Sequence, residues 1–156
     1  CDLSKFQRAR RKKKGLANFY FARFDDCAII MHTKGDIEEN ILYDDRFYDF
    51  RQKRLKISIG SLEFELINLE GKLSWKLSKV CYRDIKSHFG ELCKLKQREK
   101  IVKEFDKLNG LPAWKGIIRQ KYLLRNYIIA QAKKHQIQFH QSDFRINTRR
   151  KIHKIF

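Results

Sequence analysis

The chain has 156 residues and a formal charge of +18, from 36 Lys and Arg against 18 Asp and Glu, with 42% hydrophobic and 13% aromatic residues. That length and apolar content suit one domain with a buried core and exclude wholesale disorder. No stretch approaches the ~18 uninterrupted apolar residues of a membrane span, and the 4 cysteines, with no close pair, make neither a disulfide framework nor a zinc knuckle.

The N-terminal stretch lacks the apolar core of a signal peptide, so the expected compartment is intracellular and reducing: cytoplasm, nucleoid or organelle matrix. Residues 1–14 sum to +6. Arg8, Arg10, Arg11, Lys12, Lys13 and Lys14 repel one another and carry little apolar surface, which predicts a flexible basic arm that orders on a polyanion. A localisation signal is the plain alternative.

From Asn18 to Lys34, aromatic and β-branched runs flank Asp25-Asp26 and predict a β-hairpin. Phe19 and Phe21 then share one face, and Tyr20 and Phe24 the other. About half of these aromatics belong to a core in any arrangement, while an open face would offer rings on which bases stack. Residues 35–49 read as a loop holding Asp36, Glu38, Glu39, Asp44, Asp45 and Asp49. Two or three carboxylates around Mg²⁺ are what a phosphodiester-cleaving enzyme needs. Asp36, Asp45 and Asp49 are therefore the candidate catalytic residues of a metal-dependent nuclease or strand-transfer enzyme of a mobile element. The spacing matches no metal motif, and a solvated acidic loop is the preferred reading.

Residues 15–70 sum to −4, whereas residues 71–156 sum to +16. Within 54–78 the alternation is clean. Leu55, Ile57 and Ile59, then Leu62, Phe64 and Leu66, then Leu73, Trp75 and Leu77 define a three-stranded antiparallel meander with turns at Gly60-Ser61 and Glu70-Gly71. Lys56 and Lys76 flank the Glu-bearing middle strand.

The remainder reads as helix. Tyr82, Ile85, Phe89 and Leu92 recur at helical spacing, as do Ile101, Val102, Phe105 and Leu108, with Gly90 as a kink or division. Asn109-Gly110 supplies a left-handed helix end. From Trp114, Ile117, Ile118, Lys121, Leu124, Arg125, Ile128 and Ala132 give one side, while Arg119, Lys121, Arg125, Lys133 and Lys134 give a basic side. Residues 136–156 mix Phe139, Phe144 and Ile146 with Arg145, Arg149, Arg150 and Lys151, as a last strand with a basic tail or a segment that orders only on a partner. The five histidines are scattered, and His135 and His140 have poor zinc spacing. Tyr122 and Tyr127 read as core rather than as nucleophiles.

The expected fold is α+β: a hairpin plus a meander, then two or three helices packed on one face of the sheet, with basic flexible termini. The expected organisation is a basic N-terminal arm (1–15), a single domain (16–135) and a basic C-terminal extension (136–156). Segregated positive charge points to a polyanionic partner, and so to an RNA- or DNA-binding protein of a ribonucleoprotein or DNA-processing assembly. Phosphate contacts are expected from Arg8 to Lys14, Arg119, Lys121, Arg125, Lys133, Lys134, Arg145, Arg149, Arg150 and Lys151. No cofactor is expected, apart from Mg²⁺ in the nuclease alternative. Other proteins of the assembly are possible partners.

Overall fold

Ser4 starts the first helix. Its hydroxyl accepts from the Gln7 N–H at 3.3 Å, and the Gln7 side chain accepts from the Ser4 N–H at 2.8 Å, which completes a capping box. The helix, α1, spans Lys5–Lys13 in the computed structural model, which describes residues 3–24, 27–37, 48–49 and 52–148. This corrects the expectation of an arm without structure of its own. The run of like charge is real, but the cap supplies partners for the first N–H groups. Two polar ties then hold the helix: Arg11 donates to the Ala17 carbonyl through Nε and Nη2 at 3.2 and 3.1 Å, and Asn18 Nδ2 donates to the Arg8 carbonyl at 3.2 Å.

Strands β1 (Phe19–Phe24) and β2 (Cys27–His32) form the predicted hairpin, in register from Phe19 opposite His32 to Phe24 opposite Cys27. The turn residues Asp25 and Asp26 lie outside the described residues. The open end is closed by Asn18 and Thr33, which exchange hydrogen bonds at 3.0 and 2.9 Å. Leu16 bridges Asp36 just beyond. These elements belong to one of two compact units, Cys1–Phe47 and Tyr48–Phe156.

The second unit begins with the meander: β3 (Lys56–Ile59), β4 (Leu62–Leu69) and β5 (Lys72–Leu77), antiparallel in the order β3-β4-β5. Glu70 and Gly71 take φ of 52° and 75°, the two left-handed positions of a type I′ turn. The register puts Ile57, Phe64 and Leu77 in one row and Leu66 and Trp75 in the next, all on one face. Trp114 covers that face, edge-on to Phe64 at 5.8 Å and tilted against Trp75 at 6.2 Å. On the opposite face Glu65 is buried between cations. Arg54 lies at 2.6 Å and Lys76 at 3.4 Å, while Lys56 pairs with Glu63 at 3.1 Å. Burial pulls the Glu65 carboxyl upward, but the two cations outweigh it and hold the group below the ordinary carboxylate range.

Three helices follow: α2 (Lys79–Lys94), α3 (Arg98–Lys107), which runs into a 3₁₀ turn (Leu108–Gly110), and α4 (Lys115–Lys134). Gly90 does not divide α2; it lets the Tyr127 hydroxyl approach, and a Cβ there would stand 3.1 Å from it. The break comes at Lys96, with φ of 52°. There Lys96 N–H donates to the Cys93 carbonyl and Gln97 N–H to that of Leu92, a Schellman ending. Gly110, predicted to be left-handed, is not among the positive-φ residues. Instead α3 tightens into the 3₁₀ turn.

Gln120 on α4 satisfies the free edge of β5: its Oε1 accepts from the Leu77 N–H at 2.8 Å, and its Nε2 donates to the Leu77 carbonyl at 3.0 Å. One turn earlier the Gly116 N–H donates to Ser74 Oγ at 3.0 Å. A Cβ at Gly116 would run into the Trp75 carbonyl. Gly116→Ala is therefore expected to destabilise, the overpacking cost of about 1–3 kcal/mol exceeding the helix-propensity gain of at most ~1 kcal/mol. A lowered urea midpoint with unchanged m-value checks this.

The largest buried cluster lies among the helices rather than on the sheet. Phe89, Leu92 and Cys93 of α2 meet Ile101 and Phe105 of α3 and Leu124, Ile128 and Ala132 of α4. Ile137, Phe139 and Phe144 complete it. Residues 137–144 are thus part of the folded unit, not a separate extension. The cause is a second Schellman ending: Gln136 (φ 63°) turns the chain back, and Ile137 N–H donates to the Ala132 carbonyl.

Candidate nucleic-acid interface

The site is a matter of charge, and the helices differ in the sign of their side chains. Helix α2 carries four basic and two acidic residues, and α3 four basic and three acidic. Three of these five acids stand beside bases: Glu91 with Lys94 at 2.7 Å, Asp84 with Arg83 at 3.8 Å, and Glu104 with Lys107 at 2.6 Å, while Asp106 accepts from Asn109 Nδ2 at 3.0 Å. The acids of the sheet are likewise engaged by Arg54, Lys56 and Lys76, and Glu70 by Lys115. That last pair offsets the cost of a cation at the N-terminus of α4, where the helix dipole disfavours it.

Helices α1 and α4 differ in kind. Each carries six basic residues and no acid. On α4, Arg119, Lys133 and Lys134 are exposed and join no ion pair among the described residues. The dipole favours Lys133 and Lys134 in the last turn, so part of their placement is ordinary helix chemistry. Arg119, one turn after Lys115, adds to the field that lowers the Glu70 carboxyl but forms no ion pair with it, and its guanidinium stays exposed.

Two residues predicted for this surface behave otherwise. Lys121 is 3% exposed, its Nζ has no hydrogen-bond partner among the described residues, and burial pushes the amine below the ordinary lysine range. It stands in the apolar stripe Ile117, Leu124, Ile128 and does not belong with the phosphate contacts. Arg125 is half-buried, lies over the Tyr122 ring at 5.0 Å and donates to Gln141 Oε1 at 3.2 Å, so it joins α4 to the following segment.

Arg145 is exposed on that segment. Its carbonyl accepts from Asn109 Nδ2 at 2.9 Å, and Asn147 N–H donates to Asn109 Oδ1 at 3.0 Å. Asn109, read from sequence as a helix stop, is thus what holds the chain around Arg145. A lone Asn in a turn gives no sequence signal for such a clamp. Arg149, Arg150 and Lys151 lie outside the described residues.

In the first unit, Arg10, Lys12, Lys13 and Lys14 are exposed, whereas Arg8 and Arg11 are half-buried, Arg11 with its guanidinium on the Ala17 carbonyl. Of the acidic cluster, Asp36 and Asp49 are exposed, one in each unit, and Asp45 lies outside the described residues. Asp36 is held by its backbone, which donates to Gly15 and accepts from Ala17. Among the described residues no three His, Cys, Asp or Glu groups gather as a metal site, and no helix is long and apolar enough to cross a membrane. No family model, curated protein or solved structure matches this chain.

Proposed function

We propose that this protein binds nucleic acid through its phosphate backbone, as a component of a ribonucleoprotein or DNA-processing assembly. One observation carries the reading: two helices have six basic residues each and no acid, while the acids of the sheet and of α2 are held in ion pairs with other cations. Solubility alone calls for a net charge of about 2–8 in a small domain, and it does not require single-signed helices. Lys and Arg on such surfaces displace counterions from the polymer, which gives affinity without reading any base. Arg119, Lys133, Lys134 and Arg145 supply the phosphate-binding groups of the second unit, and Arg10, Lys12, Lys13 and Lys14 those of the first. The same chemistry serves RNA and DNA.

The test is a salt series on Arg119→Ala/Lys133→Ala/Lys134→Ala with several unrelated oligonucleotides. Affinity should fall by a similar factor for every sequence, and the slope of log K against log salt should become shallower by roughly 0.7–0.9 for each phosphate that the variant no longer neutralises. An unchanged slope would remove α4 from the interface. Cleavage in Mg²⁺ that Asp36→Ala or Asp49→Ala abolishes, with binding intact, would replace this reading with the nuclease.

A further inference from the structure

We propose that the β1-β2 hairpin is a base-stacking site for single-stranded nucleic acid, with Phe21 as its platform and the outward cations of α1 as its phosphate-binding groups. The inference rests on the nucleic-acid reading above and narrows it to one class of strand.

The hairpin register puts Phe19, Phe21 and Arg23 on one face with Ala28, Ile30 and His32. On that face Phe21 is 54% exposed and Ile30, directly opposite, 39% exposed. Phe19 sits beside Phe21 with its ring 5.7 Å from that of His32. Among the described hairpin side chains Ile29 is buried, and it belongs to the other face. Phe21 and Ile30 are direct cross-strand neighbours, so they make one contiguous apolar patch in water that a partner can cover, whereas Tyr20, 42% exposed, stands on the face that holds buried Ile29.

Helix α1 supplies the cations. It buries no residue, so it adds nothing to a core. It meets the start of β1 through Arg11 and the Arg8 carbonyl, and turns Phe6, Arg10 and Lys13 outward at helical spacing, with Phe6 78% exposed. Exposed rings and a helix of one sign in one unit call for a partner that is apolar and polyanionic at once. A single strand meets both demands, because its unstacked bases present flat apolar faces between phosphates. A duplex hides those faces in its own stack. A second copy of the chain would bring +18 against +18. An anionic lipid surface fits poorly, since α1 has cations all round and no apolar face to insert.

The experiment compares the full chain with Phe21→Ala, Phe21→Leu and Phe21→Tyr on three probes of equal length: a single strand, the same strand with abasic sites, and a duplex. The unsubstituted protein should prefer the base-bearing strand. Phe21→Ala and Phe21→Leu should bind it roughly 5- to 150-fold more weakly, with abasic and duplex binding unchanged and melting temperature preserved, while Phe21→Tyr should retain the preference. Equal binding of base-bearing and abasic strands would overturn the stacking site and leave backbone binding standing. Binding to none of the three would remove both. Phe21-dependent binding to anionic vesicles in preference to the single strand would overturn the choice of partner.

Discussion

Phe105→Ala is expected to lower the stability of the second unit by about 3–5 kcal/mol, the range for truncating a buried aromatic ring. Phe105 is 1% exposed and sits where three parts of the chain converge. Its ring lies edge-on to Phe89 of α2 at 6.3 Å and to Phe144 at 5.0 Å, and Phe144 in turn packs on Phe139 at 5.0 Å. Removing it deletes one ring from a four-ring chain that ties the segment after α4 to α2 and α3. With total stabilities of about 5–15 kcal/mol usual for a domain, a loss of that size leaves a small margin. Urea denaturation should show the lower midpoint. Hydrogen exchange should show lost protection at Ile137 and Phe144 before the rest of the unit opens. The same change should weaken the hold on Arg145, whose segment then depends on Asn109, the Arg125–Gln141 bond and the Arg98–Asp143 pair at 3.7 Å. A loss near 1 kcal/mol, with exchange unaltered after Ala132, would show that this segment does not lean on Phe105.

How far the sequence carries the fold depends on which physical signal each element uses. The meander is readable because period-two alternation and the Gly-bearing turns agree, and its observed register places Glu65 opposite both Lys56 and Lys76. The hairpin and the helical stripes are readable for the same reason. The helix ends are less so. Lys96 and Gln136 take left-handed conformations that glycine normally signals, so the break after α2 and the turn-back after α4 leave no mark in composition. The second of these conceals the role of Ile137, Phe139 and Phe144, which otherwise resemble apolar residues scattered in a basic tail. The N-terminal helix is obscured by its charge, although Ser4 and Gln7 stand at capping-box spacing. As for the surface, composition finds which segments are basic. It does not separate Arg119, which faces solvent, from Arg125, which is held by Gln141.

Lys121→Met should stabilise the protein at neutral pH by about 1–3 kcal/mol, the cost of leaving a buried polar group unsatisfied. Its spacing four residues after Ile117 and three before Leu124 directs it to the core face of α4, where it borders a cavity of about 10 Å³ lined by Leu77, Ile85, Leu108 and Leu111. That is room for about one water. The nearby polar groups are already engaged: Gln120 with Leu77, and the Tyr82 hydroxyl with the Gln120 carbonyl at 3.3 Å. Burial lowers the amine's pKa in the folded protein, so between that value and the ordinary lysine value of about 10.4 the unfolded chain holds more protons. Stability of the unsubstituted protein should therefore rise with pH across that window, and below it the penalty is present in full. Lys121→Met removes the group and should flatten this part of the profile, so the gain over the unsubstituted protein shrinks as pH approaches about 10.4, leaving only the smaller cost of burying the neutral amine without a hydrogen bond. Tyr82, whose pKa burial raises above 10, is common to both proteins and cancels in the difference. Denaturation of the pair at neutral and alkaline pH measures the effect. Equal stability at neutral pH would mean that the amine reaches water, and would return Lys121 to the exposed basic residues of α4.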